Sequence, residues 1–185
     1  LQLIAEFLGV VAVILIALYP SYRPKWTFLS SALTAFFLAG LISVIFSADP
    51  SKSMFGTIER SFGFFNILHY GILFFVATVA LRTQKQWNVF LSVSIIISLY
   101  AAFELLSSVI STNLVPPTVA GNPTFLSAYL IFHIFFASFL FTQTKNKYLR
   151  ALLGLIIAIQ VSAVIASNVR GGFVGLSVAA FFLAV

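Results

Sequence analysis

Arg60 and Arg170 are the side chains best placed to grip an anion. Each falls where a long apolar run breaks, and each is flanked by small residues. Arg60 lies in Gly56-Thr57-Ile58-Glu59-Arg60-Ser61-Phe62-Gly63, and Arg170 in Ser167-Asn168-Val169-Arg170-Gly171-Gly172. A guanidinium presents a planar fork of donors that matches two oxygens of a phosphate. Gly171 and Gly172 lack side chains, so backbone there can approach a ligand closely. Taken singly, Arg60 is equally an interfacial arginine paired with neighbouring Glu59. Arg170 has no adjacent acid, and an arginine held near an apolar phase needs a partner.

A second polar segment is Gly121-Asn122-Pro123-Thr124, at the end of an uncharged stretch that begins at Ser111. Asn122 is a good helix N-cap, and Pro123 suits the first helical position. The free N–H groups of such a start favour anions, although an ordinary capped helix has the same sequence. Four ionisable residues interrupt apolar runs: Glu6, His69, Glu104 and His133. Single histidines in this setting are commonly structural. Together, Arg60, His69, Glu104, Asn122 and Arg170 suggest one polar cavity that suits an anionic ligand. Phosphate loops, dinucleotide fingerprints, zinc-protease motifs and nucleophile elbows are missing. No metal-ligand cluster is visible in the sequence; Asp49 alone is poor evidence for one, and no cofactor is expected.

The elements that must hold these residues follow from composition. Hydrophobic residues make up 61% of the 185, charged residues 8%, and mean hydropathy is +1.11. Soluble domains carry about 25% charged residues, so lipid is the solvent this chain requires. There is no cysteine, which excludes disulfides and thiolate chemistry. The net charge of +6 is scattered over loops rather than gathered in a stripe, so it reads as a topology signal and not as a nucleic-acid surface.

A spanning helix needs about 20 apolar residues, and lipid leaves helices as the economical form. Six full spans are predicted, at Leu3–Tyr19, Trp26–Phe46, Phe62–Leu81, Trp87–Ile110, Phe125–Thr142 and Leu149–Ser167. A seventh begins near Gly172 and is cut short. The expected architecture is an all-α polytopic transmembrane bundle, one membrane domain over 1–185 truncated at both ends. Arg23, Lys25, Arg82, Lys85, Lys145, Lys147 and Arg150 occupy the odd-numbered loops without an acid. The positive-inside rule assigns those loops to the cytoplasm. The even-numbered loops, with Asp49, Lys52, Glu59, Arg60 and Arg170, then face outward.

Three segments in this order resemble the O-antigen ligase and O-antigen polymerase family of bacterial envelope glycosyltransferases. They are Ser47-Ala48-Asp49-Pro50-Ser51-Lys52-Ser53-Met54-Phe55-Gly56 with Glu59-Arg60-Ser61-Phe62-Gly63, then Gly121-Asn122-Pro123-Thr124-Phe125-Leu126-Ser127-Ala128-Tyr129-Leu130, then Ser167-Asn168-Val169-Arg170-Gly171-Gly172-Phe173-Val174-Gly175-Leu176. The similarity spans about residues 40–185. In the third segment two residues separate Ser167 from Arg170, where the family usually places serine directly before arginine.

The resemblance implies a multi-pass protein of the bacterial inner membrane, working in lipopolysaccharide biosynthesis. It implies transfer of a glycan from undecaprenyl pyrophosphate to a lipid A core, a glycan or a protein at the outer face. Arg60 and Arg170 would hold the pyrophosphate and stabilise leaving-group charge. Gly121, Asn122, Gly171, Glu104 and His69 would line the substrate site. The family's catalytic histidine belongs to an outer loop that would follow Val185, so the segment by itself is expected to be inactive. A transporter or flippase for an anionic lipid or solute would also use a cationic cavity. Paired repeats or broken helices would mark it, and none is evident.

Overall fold

The computed structural model describes residues 2–57, 63–113, 115 and 121–184, and the regular elements among them are all helical. The chain divides into two compact units, Leu1–Thr83 and Gln84–Val185.

The first unit contains α1 (Gln2–Leu18), α2 (Phe28–Ile45), α3 (Pro50–Phe55) and α4 (Phe64–Ala80). Pro20 stops α1 and opens a 3₁₀ turn over Pro20–Tyr22. Thr27 caps α2 by accepting from the Ser30 amide. The short α3 was not foreseen in the second loop. Asp49 caps it by accepting from the Lys52 amide at 3.0 Å, with Pro50 at its first turn. The Asp49 carboxylate thus serves as a helix cap.

Helices α1 and α4 run parallel, because Glu6 meets His69, Gly9 meets Ile72, and Val13 and Ile14 line a cavity with Phe75. Ala5 and Ala12 are buried on the same face of α1. Small residues at this spacing let membrane helices approach closely, where dispersion replaces the hydrophobic effect. A Cβ on Gly9 would come within 2.8 Å of Ile72 Cγ2. Helix α2 runs antiparallel to α4, with Gly40 under the Phe64 ring and Phe37 over Gly71. Arg82, just past α4, donates to the carbonyls of Ser21 and Arg23 and lies 5.2 Å from the Tyr22 ring centroid. This ties the α4 carboxyl end to the turn after α1.

The second unit contains α5 (Gln84–Thr112), α6 (Pro123–Gln143), α7 (Lys147–Ala166) and α8 (Arg170–Ala184). Two apolar clusters define its packing. One joins Ala101, Ala102 and Leu105 of α5 to Leu126, Leu130 and Ile134 of α6 and Ala163 and Val164 of α7. The other joins Leu91 and Ile95 to Ala137, Leu140, Leu153 and Ile156. The order of these contacts makes α5, α6 and α7 successively antiparallel. Helix α8 turns back beside α6, with Gly172 against Ser127 and Gly175 against Ile131.

Among the described residues four helices, α2, α5, α6 and α7, are long and apolar enough to cross a membrane. The six full spans expected from the sequence are therefore not all matched by length. Helices α1 and α4 each have 17 residues, because Tyr19-Pro20 halts the first and Gly63 begins the second. Phe62, the expected start of the third span, lies outside the described residues. The seventh helix begins at Arg170 rather than Gly172, so the arginine belongs to its first turn.

Candidate functional site

Helix α6 begins as its sequence requires. Asn122 adopts extended backbone and its side chain accepts from the Thr124 amide at 2.9 Å, with Pro123 at the first helical position. Gly121 has φ +77°, a left-handed conformation that strains any residue with a Cβ. Both Gly121 and Asn122 are exposed. One turn in, Ser127 is 1% exposed.

Helix α7 ends at the same level. Ser167 is its C-cap, and Asn168 follows with φ 53°. A left-handed residue here reverses the chain and commonly ends helices, and asparagine tolerates it better than β-branched or bulky residues. Only Asn168 and Val169 separate Ser167 from Arg170, so α8 must pack back immediately. The Ser167 hydroxyl lies 2.7 Å from that of Ser127 and 2.7 Å from the Val164 carbonyl, while Ser127 Oγ is 2.9 Å from the Pro123 carbonyl. With one hydrogen per hydroxyl, two of these three contacts are donated at any instant. A Cβ on Gly172 would sit 3.2 Å from Ser127 Cβ and 3.4 Å from Val164 Cγ1. Gly172 is thus a packing glycine, whereas nothing among the described residues lies within 4 Å of a Cβ built on Gly171.

The fold therefore brings the Gly121-Asn122-Pro123 segment and the Ser167-to-Gly172 segment to one end of the second unit. Arg170 and Gly171 are exposed there. No carboxylate pairs with Arg170 among the described residues. Glu104 is half-buried on α5, two turns before that helix ends at Thr112, and its carbonyl accepts from Ser107 Oγ at 3.0 Å.

His69 belongs to the first unit and is buried, with Nδ1 2.7 Å from the Phe65 carbonyl and Nε2 3.0 Å from Glu6 Oε1. Both ring nitrogens are occupied, so contact with a ligand would require breaking one of these bonds. Arg60 and Glu59 lie outside the described residues, as do Leu114 and Pro116–Ala120 of the uncharged loop.

His133, named from the sequence, belongs to a buried polar layer in the second unit whose other members, Ser94, Ser98 and Gln160, were not foreseen. His133 contacts the Tyr129 carbonyl through Nδ1 and Ser94 Oγ through Nε2, both at 2.7 Å. One turn along α5, Ser98 Oγ donates to the Ile95 carbonyl and accepts from Gln160 Nε2, again both at 2.7 Å. Gln160 is fully buried, and its Oε1 has no hydrogen-bond partner among the described residues. This layer lies between the two apolar clusters. Ser94 and Ser98, four residues apart in an apolar run, were the available signal, since that spacing puts two hydroxyls on one helix face.

Comparison with known protein families, curated proteins and solved structures finds no match.

Proposed function

We propose that the chain serves an integral membrane glycosyltransferase activity that takes a glycan from undecaprenyl pyrophosphate at the outer face of a bacterial inner membrane. The observation that supports this reading is the junction of α6 with α8. Two segments singled out by their residue types, 40 or more positions apart, meet through the Ser127–Ser167 hydroxyl contact at 2.7 Å and the close approach of Gly172. Arg170 stands exposed at that end, on the first turn of a helix beside open space at Gly171. A guanidinium in that position suits a diphosphate, whose two charges need donors that arrive already oriented.

In the proposed reaction an acceptor nucleophile attacks the anomeric carbon of the donor glycan. The bond from that carbon to the diphosphate oxygen breaks, and undecaprenyl diphosphate leaves with the electron pair. Arg170 stabilises the charge that accumulates on the departing oxygen. The acceptor's proton passes to a general base, which the family resemblance assigns to an outer loop. The part given to Arg60 rests on the sequence resemblance.

The test is Arg170→Ala and Arg170→Lys in the complete gene, with glycan transfer from an undecaprenyl-pyrophosphate donor measured at matched expression. Loss of one preorganised donor to a developing oxyanion costs about 10²–10³-fold in rate, so the alanine variant should fall by that order. Lysine keeps the charge but loses the fork, so it should recover only part. Undiminished transfer by Arg170→Ala defeats the assignment. Passage of intact ligand across the membrane with no glycosidic bond broken indicates transport of an anionic lipid instead.

A further inference from the structure

The two histidines are held identically by their own helices and differently by their neighbours. His69 Nδ1 lies 2.7 Å from the carbonyl of Phe65, and His133 Nδ1 lies 2.7 Å from that of Tyr129. A carbonyl oxygen only accepts, so Nδ1 carries the hydrogen in both rings. Turning either ring over would place carbon where these nitrogens sit and lose both contacts. A neutral ring then offers Nε2 as a bare acceptor. At His133 that is sufficient, because the Ser94 hydroxyl donates to Nε2. At His69 the group facing Nε2 is the Glu6 carboxyl, with Oε1 at 3.0 Å. An ionised carboxylate also only accepts. Two acceptors do not hold each other at that distance, so the contact needs a proton that the His133 contact does not.

We infer that Glu6 and His69 form a proton-binding site that joins α1 to α4, the folded first unit keeping one proton in their contact. The proton resides on Nε2 facing a carboxylate or on Glu6 facing a bare Nε2; both forms hold the same count. The His69 side chain is 3% exposed and that of Glu6 48%, so exchange proceeds through the carboxyl. The pair cannot drift apart freely, since Ala5 is buried beside Glu6 and Gly9 packs on Ile72 one turn away. Removal of the proton leaves two lone pairs facing each other, so α1 loosens from α4 as pH rises.

Few other groups can offset that repulsion. Helix α2 has no titratable side chain. Helix α3 reaches the start of α4 through Phe55 on Phe65. It brings Lys52 and its cap Asp49, whose carboxylate accepts from the Lys52 amide. Tyr70 on α4 itself is exposed. Tyr19, Tyr22, Arg23 and Arg82 gather at the opposite end of the α1–α4 pair. Glu59 and Arg60 lie outside the described residues. The inference does not depend on Arg170 or on glycan transfer.

The chain has only two histidines, which makes a direct measurement simple. The full chain, labelled with ¹⁵N-histidine and ¹³C-glutamate and placed in lipid nanodiscs, gives two imidazole signals, and His133→Gln assigns them. At neutral pH the His133 ring should show a protonated Nδ1 and a bare Nε2. The Glu6–His69 pair should show either both ring nitrogens protonated or a protonated Glu6 carboxyl. In Glu6→Gln the amide donates to Nε2, so the His69 signals should shift to the pattern of His133. Thermal stability should fall with rising pH in the unsubstituted chain and not in Glu6→Gln. A bare Nε2 together with an ionised Glu6 in the unsubstituted chain at neutral pH overturns the inference. Should Glu6→Gln fail to fold, the unsubstituted spectrum decides alone.

Discussion

The half-satisfied amide of Gln160 shows how a buried polar group divides an apolar core. Its Nε2 is bonded to Ser98 while its Oε1 finds no donor among the described residues. An unmade hydrogen bond on a buried group costs about 1–3 kcal/mol. Removing both amide ends at once is therefore cheap, and removing the acceptor alone is not. Gln160→Met should leave thermal stability in micelles unchanged or raised by up to about 1 kcal/mol. Ser98→Ala strands the Gln160 N–H₂ and should cost about 1–3 kcal/mol. Equal losses in the two variants would show that the amide is fully satisfied. Neither residue carries a charge or belongs to a motif, which is why the Ser98–Gln160 pair, unlike His133, was not picked out from the sequence. The partner of a buried side chain sits on another helix, and a linear pattern does not name it.

At the scale of the element, the α7–α8 reversal sets where Arg170 stands. Asn168 supplies the left-handed residue, at φ 53°, and Ser167 closes the joint onto Ser127. A residue with a branched Cβ pays about 1–2 kcal/mol in that conformation, whereas glycine pays nothing for the angle itself. Asn168→Val should thus lower stability by that order and Asn168→Gly should not, as read by thermal unfolding in micelles. If valine were tolerated, the reversal would have to be held by the Ser127–Ser167 and Gly172 contacts alone. In the third segment two residues separate Ser167 from Arg170, where the family it resembles usually places serine directly before arginine. Those residues, Asn168 and Val169, are the turn itself, and the serine upstream of them serves the joint rather than lying beside the arginine.

For the whole molecule, the loop charges predict which ends of the helices face the cytoplasm. Arg23, Arg82 and Lys145 belong to loops predicted to face the cytoplasm, and Asn168 to one predicted to face outward. The chain has no cysteine, so single cysteines at Arg23, Lys145 and Asn168 can be read without background. A membrane-impermeant thiol reagent applied to intact cells should label the cysteine at 168 and spare those at 23 and 145. Labelling in the reverse sense would put Arg170 on the cytoplasmic side and remove the basis for a donor presented outside. Within each unit the geometry agrees with alternating crossings. Arg82 reaches the turn after α1, and the ends of α5 and α7 share a level with the starts of α6 and α8.

Helix was already implied by a chain that is 61% hydrophobic and 8% charged, because backbone groups without water must pair within their own segment. Breakers and caps such as Pro20 and Asn122 are local devices, so most ends of the long helices could be read within a few residues, whereas the short helix capped by Asp49 was not foreseen. The Asn122-Pro123 start was legible for the same reason. Lengths were harder, since α1 and α4 stop at 17 residues each. What folding alone determined was adjacency. Ser127 with Ser167, Ser98 with Gln160 and Glu6 with His69 are separated by 40, 62 and 63 positions. Pairs so distant along the chain meet only through the close packing of small residues between helices, a property of two surfaces together and not of either segment.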